Sequence, residues 1–208
     1  MSVDIYKREF LKKLAIATTL LPATSNVWAQ QKFSKTPFTL GVASGSATHD
    51  SVVLWTRLFD QGVFSSNIPN EIVPVKWEIS KDEAFTQIVQ TGVSQATPEL
   101  AHSVHVELSN LPTNQWFFYR FKAGEFTSST GKTRTFAAPG ASSDPLKIAF
   151  ASCQHYELGY FNSYPHLVAE RPDLLLFLGD YIYEYTQGKT GVRSFDGGWC
   201  FTLSDYRR

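Results

Sequence analysis

The 208-residue sequence has little of several features that would restrict its class. Its two cysteines are too few for a disulfide-dense scaffold or for a zinc site built from cysteine alone. Its 19 basic and 19 acidic side chains balance, which excludes a broad basic surface for nucleic acid and an acidic tail. No apolar run approaches the roughly 20 residues that span a bilayer. The sequence therefore predicts neither sequence-specific nucleic-acid binding nor stable membrane insertion.

Aromatic and apolar residues, by contrast, are abundant. The chain has 16 Phe, 9 Tyr and 5 Trp, and 43% of its residues are apolar while 18% are charged. Such a composition is typical of a folded globular protein and excludes a disordered chain. The length suits one large domain or two small ones.

Residues 1–29 have the pattern of a secretory signal peptide. The first 13 residues are rich in Lys and Arg, Leu14 to Leu21 is apolar, and Val27 and Ala29 form a cleavage site before Gln30. The alternative interpretation is a short N-terminal anchor helix. Tyr6 to Lys12 resembles the twin-arginine export motif with Lys7 in place of the first Arg, so the Sec and Tat export machineries both stay open. We expect an exported protein, periplasmic or extracellular.

Residues 30–137 are predicted to form a β-sandwich of the fibronectin III/Ig-like kind. Short strand patterns are separated by Gly, Pro, Asn and Ser, as in such sandwiches. Leu111 to Trp116 also looks like the tyrosine-corner turn of fibronectin type III domains, with Trp116 where Tyr is usual. The predicted strands are residues 38–45, 51–58, 73–80, 102–108, 116–121 and 134–136.

After a predicted linker at 138–145, residues 146–208 change to a βαβ pattern. Leu146 to Ala151 and Leu174 to Leu178 are apolar runs that predict two buried parallel strands. Between them, apolar residues at helical spacing predict a helix that ends before Pro172, with Pro165 in its first turn.

Residues that can bind metal follow both predicted parallel strands. Cys153 follows the first, and Asp180 and Tyr183 follow the second. Because parallel neighbours end at the same sheet edge, we expect these side chains to converge. Phenolate suits a hard ion such as Fe(III), and a carboxylate can bridge to a second, oxygen-preferring ion. Two such ions would clamp a phosphoryl group and generate hydroxide near neutral pH.

Each of these residues has a simpler alternative interpretation. Cys153 would be a small buried apolar residue, Asp180 a cap of the next element, and Tyr183 a core aromatic. His155 lies two residues after Cys153, in an arrangement similar to the Asp-x-His that opens many metallophosphatases. We favour a role for His155 beside the ligands, in their supporting shell or in the loop, over direct ligation.

Two motifs make the chain resemble the alkaline phosphatase D (PhoD-like) phosphodiesterase family. They are Phe150 to Phe161 and Phe177 to Glu184. Upstream, Leu40 to Gly45 and Ser51 to Leu58 resemble the N-terminal β domain of that family. The similarity begins at about Phe38 and continues to the end of the chain.

The resemblance implies a four-layer αββα metallophosphatase domain after the β-sandwich and an exported enzyme that uses Fe(III) and Ca(II). Cys153 and Tyr183 match the family's Fe(III) ligands, and Asp180 matches the metal-ligating Asp of its Gly-Asp motif. The implied substrates are phosphate monoesters and diesters. Members of the family are much longer, so we expect this chain to be a truncated, N-terminal part with an incomplete site.

Two functions stay open at this point. The sequence predicts the front part of a metal-dependent phosphoesterase. The alternative is a secreted β-sandwich binding module with an inert C-terminal tail. Metal analysis distinguishes the two, because the enzyme requires iron and calcium and the module requires neither.

Overall fold

The computed structural model describes residues 33–59, 70–142, 145–186, 191–193, 195 and 198–207. The predicted signal peptide, residues 1–29, lies outside the described residues and stays a prediction. Within those ranges, none of the helices has the length and apolar character needed to cross a membrane.

The N-terminal part contains two antiparallel sheets. Their strands are β1 Val42–Gly45, β2 Val52–Arg57, β3 Val73–Ser80, β4 Ile88–Ala96, β5 Ser103–Leu108, β6 Trp116–Ala123, β7 Phe126–Thr127 and β8 Gly131–Arg134. One sheet has the order β1-β2-β5. The other has the order β4-β3-β6-β7, and β8 also pairs with β6. A short 3-10 helix, Pro98–Leu100, connects β4 to β5.

Alternation of side chains makes these sheets a sandwich. In β6, Phe117, Tyr119 and Phe121 are buried while the residues between them are half exposed. They join one apolar core with residues from both sheets, such as Leu54 of β2 and Val106 of β5. A period of two places one face of each strand on that shared core. The predicted β-sandwich is therefore confirmed.

Strand β4 was not predicted, and its packing explains why. It contains few apolar residues, and most of its side chains are exposed or half exposed. Its pairing with β3 and the buried Ala96 attach it to the sandwich, and the ring of Trp77 on β3 covers Gly92, where an added Cβ would lie 2.5 Å from that ring. An edge strand covered by a partner's side chain lacks the alternation by which strands are recognised.

The C-terminal part begins with a βαβ unit. Strand β9 (Ile148–Ala151) and strand β10 (Leu174–Phe177) pair in parallel, as predicted, with helix α1 (Ser163–Ala169) between them in the chain. Pro165 is the third residue of α1, so it lies in the first turn, where its missing N–H costs nothing. Helix α2 (Leu203–Arg207) follows near the end of the chain.

The prediction that β9 and β10 are buried is wrong for the described structure. Phe150 is 72% exposed, Ile148 is 51% exposed and Leu178, just after β10, is 64% exposed. No residue of α1 is buried either. A parallel strand is buried only when it has neighbours at both edges and a layer on each face, and this sheet has two strands.

Asp173 connects the two parts of the chain. Its carboxylate pairs with the guanidinium of Arg134 at the end of β8 and accepts a hydrogen bond from the backbone N–H of Lys147 at 2.9 Å. The predicted boundaries, 30–137 and 146–208 with a linker at 138–145, stay predictions.

Candidate metal centre

The loops that follow β9 and β10 lie side by side. Leu178 N–H donates to the Ala151 carbonyl at 2.8 Å, and Cys153 N–H donates to the Gly179 carbonyl at 2.9 Å. The pairing continues as His155 N–H donates to the Asp180 carbonyl at 3.1 Å. The parallel register thus extends beyond both strands, and it brings Cys153 next to Asp180, as the sequence predicted.

The side chains of Cys153 and Asp180 are in contact. The Sγ of Cys153 lies 3.4 Å from Oδ2 of Asp180 and donates its proton to it. Metal–ligand bonds of about 2.0–2.3 Å at ordinary coordination angles place two donors roughly 3–3.6 Å apart. The observed separation therefore suits two ligands that share one metal ion.

Three residues at this contact have a strained backbone conformation. Cys153, His155 and Asp180 have φ values of 52°, 51° and 60°, in the left-handed region that residues with a Cβ rarely occupy. Gly179, with φ of 111°, makes the turn that precedes Asp180. Non-glycine residues held in this region cluster at functional sites, where the surrounding contacts compensate the strain.

Tyr183 is the third member of the group. Burial raises the pKa of its phenol, and the neighbouring Asp180 and Cys153 raise this pKa further, the former also through a hydrogen bond. Anionic neighbours have this effect when no cation is present, and a metal ion among them would reverse it. A thiol, a carboxylate and a phenol at one point therefore fit a highly charged cation.

His155 packs against this group through its ring. Its centroid lies 4.7 Å from that of Tyr183, with the two planes inclined at 31°, and 5.9 Å from that of Tyr185. The side chain is half buried. This position suits the supporting role that the sequence analysis favoured, which stays a prediction.

The simpler interpretations of two residues disagree with the structure. Cys153 is exposed, so it is not a small buried apolar residue, while Cys200 is buried; both thiols are free. Residues 181–186 form no helix for Asp180 to cap. Among the described residues, no three or more His, Cys, Asp or Glu side chains are grouped so that they could hold a metal ion. The set of Cys153, Asp180 and Tyr183 as metal ligands stays a prediction.

A depression of about 310 Å³ lies beside the group. The two residues that flank Cys153 form part of its wall, and most of the rest comes from residues 158–164, in the loop before α1 and at the start of that helix. Its lining comprises Ala151, Ser152, Gln154, Leu158, Gly159, Tyr160, Phe161, Asn162, Ser163 and Tyr164.

Arg193 holds this loop, and the sequence analysis missed it. Its Nε donates to the Tyr156 carbonyl at 2.8 Å, and one terminal nitrogen donates to the Gly159 carbonyl at 2.6 Å. Its guanidinium also lies 3.9 Å from the centre of the Phe161 ring. The planar guanidinium group can donate hydrogen bonds to two carbonyls and pack against an aromatic ring at the same time. No local pattern signals such a contact, because the partners lie more than 30 residues apart in the chain.

Comparisons with known proteins match most of the chain. The family model "PhoD-like phosphatase, N-terminal domain" matches residues 23–137, and "PhoD-like phosphatase" matches residues 148–208. Alkaline phosphatase D from Bacillus subtilis (strain 168) is 51% identical over 184 residues, which are 86% of this chain and 32% of that protein.

A solved structure described as "Structure of PhoD" has 51% sequence identity and a TM-score of 0.80 to this chain. The match covers 85% of this chain and 35% of that one. The chain thus spans about a third of the length of both relatives. Because the first family model alone covers more than half of its residues, the chain belongs to the PhoD-like phosphatase family.

Proposed function

We propose that this chain contributes to an exported, metal-dependent phosphoesterase that hydrolyses phosphate monoesters and diesters. The observation that carries the proposal is the contact between Cys153 and Asp180, with Tyr183 beside them, at the carboxyl end of two parallel strands. Membership of the PhoD-like phosphatase family supports the same function. Ligand sites of α/β proteins lie at this edge of the sheet.

Each residue of the group has a specific part in the proposed site. Cys153 and Tyr183 would hold Fe(III), and Asp180 would contribute its carboxylate to the Fe(III) and Ca(II) site. Bound metal ions of this kind clamp a phosphoryl group and activate water as a nucleophile. His155 keeps the phenol ring of Tyr183 in place by packing on it.

Before metal binds, the Cys153 thiol donates a hydrogen bond to the Asp180 carboxylate, and the raised pKa of Tyr183 keeps its phenol protonated. Loading with Fe(III) therefore releases protons, since thiol and phenol ligands bind in their deprotonated forms. Metal affinity should accordingly increase with pH.

The metal assignment can be tested by colour and metal content in the complete enzyme. Phenolate bound to Fe(III) should give a visible charge-transfer band. Tyr183→Phe deletes the phenol oxygen and keeps the ring, so it should abolish that band and lower activity. Cys153→Ser should reduce the retained iron, because a poorly acidic hydroxyl replaces a thiolate.

Tyr181→Phe is the matched control, since Tyr181 lies two residues earlier in the same loop and its ring is 47% exposed. It should keep the band. The metal site would be refuted if Tyr183→Phe and Cys153→Ser both kept the band and the iron content unchanged. The secreted binding module would then be the better hypothesis.

Hydrolysis and export have separate tests. Asp180→Asn should abolish hydrolysis of both p-nitrophenyl phosphate and bis(p-nitrophenyl) phosphate, because an amide cannot replace the anionic ligand. Mature protein from the periplasm or medium should begin at Gln30. A protein that keeps Met1 in a cytosolic fraction would contradict export.

A further inference from the structure

Asp173 and Lys147 form a closed pair at the beginning of the two parallel strands. Asp173 directly precedes β10, and Lys147 directly precedes β9. The N–H of Asp173 donates to the Lys147 carbonyl at 2.8 Å, and the N–H of Lys147 donates to the Asp173 carboxylate at 2.9 Å. One residue thus binds both backbone polar groups of Lys147, which requires the two residues to stand opposite each other.

A side chain of the sandwich holds this pair in place. The guanidinium of Arg134, at the end of β8, pairs with the other carboxylate oxygen of Asp173 and donates to Asn114 Oδ1 at 3.1 Å. It also lies 5.1 Å from the centre of the Trp116 ring. The side chains of Arg134 and Asp173 are only 16% and 18% exposed, so water weakens this charged hydrogen bond little. The Lys147 N–H and Arg134 together hold the pKa of Asp173 below its ordinary value, although burial acts against them.

The residues of the two strands do not determine their register by themselves. Strand β9 is Ile-Ala-Phe-Ala and strand β10 is Leu-Leu-Leu-Phe, so a slip by one residue would exchange apolar side chains for other apolar side chains. Register is strongly specified where a strand has one apolar and one polar face, and these strands are apolar on both faces. A contact outside the strands is needed to select the observed register.

The register decides whether the candidate metal ligands meet. In the observed register Phe177 stands opposite Ala151, and just beyond them Cys153 Sγ lies 3.4 Å from Oδ2 of Asp180. A slip by one residue displaces the strands by about 3.3 Å and turns the side chains of one strand to the other face. Either change would separate Cys153 from Asp180.

We propose that Asp173, held by Arg134, is a positioning residue that selects the register of β9 and β10 and thereby places Cys153 against Asp180. The sandwich then takes part in assembling the metal centre, although that centre lies at the opposite end of the two strands. The effect on metal binding rests on the proposed function, whereas the effect on register does not.

Cross-strand nuclear Overhauser effects measure the register without metal or substrate. In the wild-type protein, the methyl group of Ala151 should show a contact with its partner Phe177. In Asp173→Ala this contact should give way to contacts with the residue before or after Phe177, and the amide of Cys153 should exchange about tenfold faster. Signals of the sandwich core should stay unchanged, because that core includes neither strand.

Glu170→Ala is the matched control, because Glu170 pairs with the Lys147 side chain at 3.4 Å beside the same strand ends and is 74% exposed. It should leave the register unchanged. Arg134→Gln removes the charge that holds Asp173, and Asp173→Asn keeps one oxygen for the Lys147 N–H, so both should give changes between those of the wild type and Asp173→Ala. Unchanged contacts in Asp173→Ala, or equal changes in Glu170→Ala, would overturn the inference. Loss of the sandwich signals in both Arg134→Gln and Asp173→Asn would also overturn it, since the role would then be in overall folding.

Iron binding separates this inference from the proposed function. In the complete enzyme, Asp173→Ala should lower the affinity for iron about tenfold and weaken the charge-transfer band, because the ligands no longer converge. If the wild-type enzyme binds no iron and Asp173→Ala still shifts the register, the register assignment stands and the metal function fails. If the register shifts while the iron affinity stays unchanged, the positioning role is refuted and the metal function stands.

Discussion

Glu78, on the outer face of the sandwich, provides the most quantitative prediction about stability. Its carboxylate is 9% exposed and pairs with three cations: Arg120 Nε at 2.8 Å, Lys122 Nζ at 3.0 Å and Lys76 Nζ at 3.2 Å. Lys76 and Lys122 are direct cross-strand partners on β3 and β6. Like charges in that position repel, and Glu78 lies where it can neutralise both.

The pKa of this carboxyl group gives the magnitude. Burial acts to raise the pKa, but hydrogen bonds from the three cations and the Coulombic attraction of Lys122 outweigh it and lower the pKa from 4.5 to about 2. At 1.36 kcal/mol per pKa unit, such a shift corresponds to about 3 kcal/mol of stability. Because the Lys76 side chain is 51% exposed and water weakens its pairing, we expect about 2 kcal/mol from Glu78→Gln.

The assay is urea unfolding of the wild-type protein and the variant across pH. The folded-state pKa of Glu78 is depressed, so its stabilisation is fully present above about pH 4.5 and is lost as pH falls towards 2. Near pH 7, Glu78→Gln should lower the free energy of unfolding by about 2 kcal/mol and the Tm by about 4–8 °C. The difference between the two proteins should shrink below pH 4.5 and vanish near pH 2.

Glu107→Gln is the matched control, because Glu107 is an exposed glutamate near the end of β5. Its free energy of unfolding should change by less than about 0.5 kcal/mol. A loss in Glu78→Gln no larger than that of the control would refute the reasoning. So would a difference that stays constant from pH 7 to pH 2, since its origin would then not be the charge.

Two further predictions concern packing and the loop beside the metal centre. Gly131→Ala should lower the free energy of unfolding by about 1–3 kcal/mol, because a Cβ there would lie 2.2 Å from the buried Tyr119 ring. The control Gly45→Ala, whose Cβ would have nothing within 4 Å, should lower it much less, and equal shifts of Tm in the two variants would contradict this prediction. Arg193→Lys should speed amide hydrogen exchange in residues 156–161, because one ammonium group cannot replace the guanidinium group that donates to two carbonyls. Arg171→Lys is the control at an exposed position, and exchange in Arg193→Lys as slow as in this control would show that the contact is dispensable.

The sequence by itself determined the two architectures and the meeting point of the candidate ligands. Period-two alternation in β2, β5 and β6 sets which side chains are buried, so the sandwich follows from the pattern. A βαβ connection places two strand ends at one edge, so the approach of Cys153 and Asp180 follows from their positions after β9 and β10. Both inferences depend only on periodicity and chain direction, which the sequence contains.

Only the tertiary structure decided the contacts between distant segments. It placed Arg193 against the loop at residues 156–161, surrounded Glu78 with cations from β3 and β6, and aligned Trp199 with Phe201 near the candidate metal centre. It also left β9 and β10 half exposed although their sequences are apolar on both faces. The physical reason is that a local sequence pattern determines only which face of a strand or helix a side chain occupies. The residue that it contacts on that face depends on how distant segments of the chain pack.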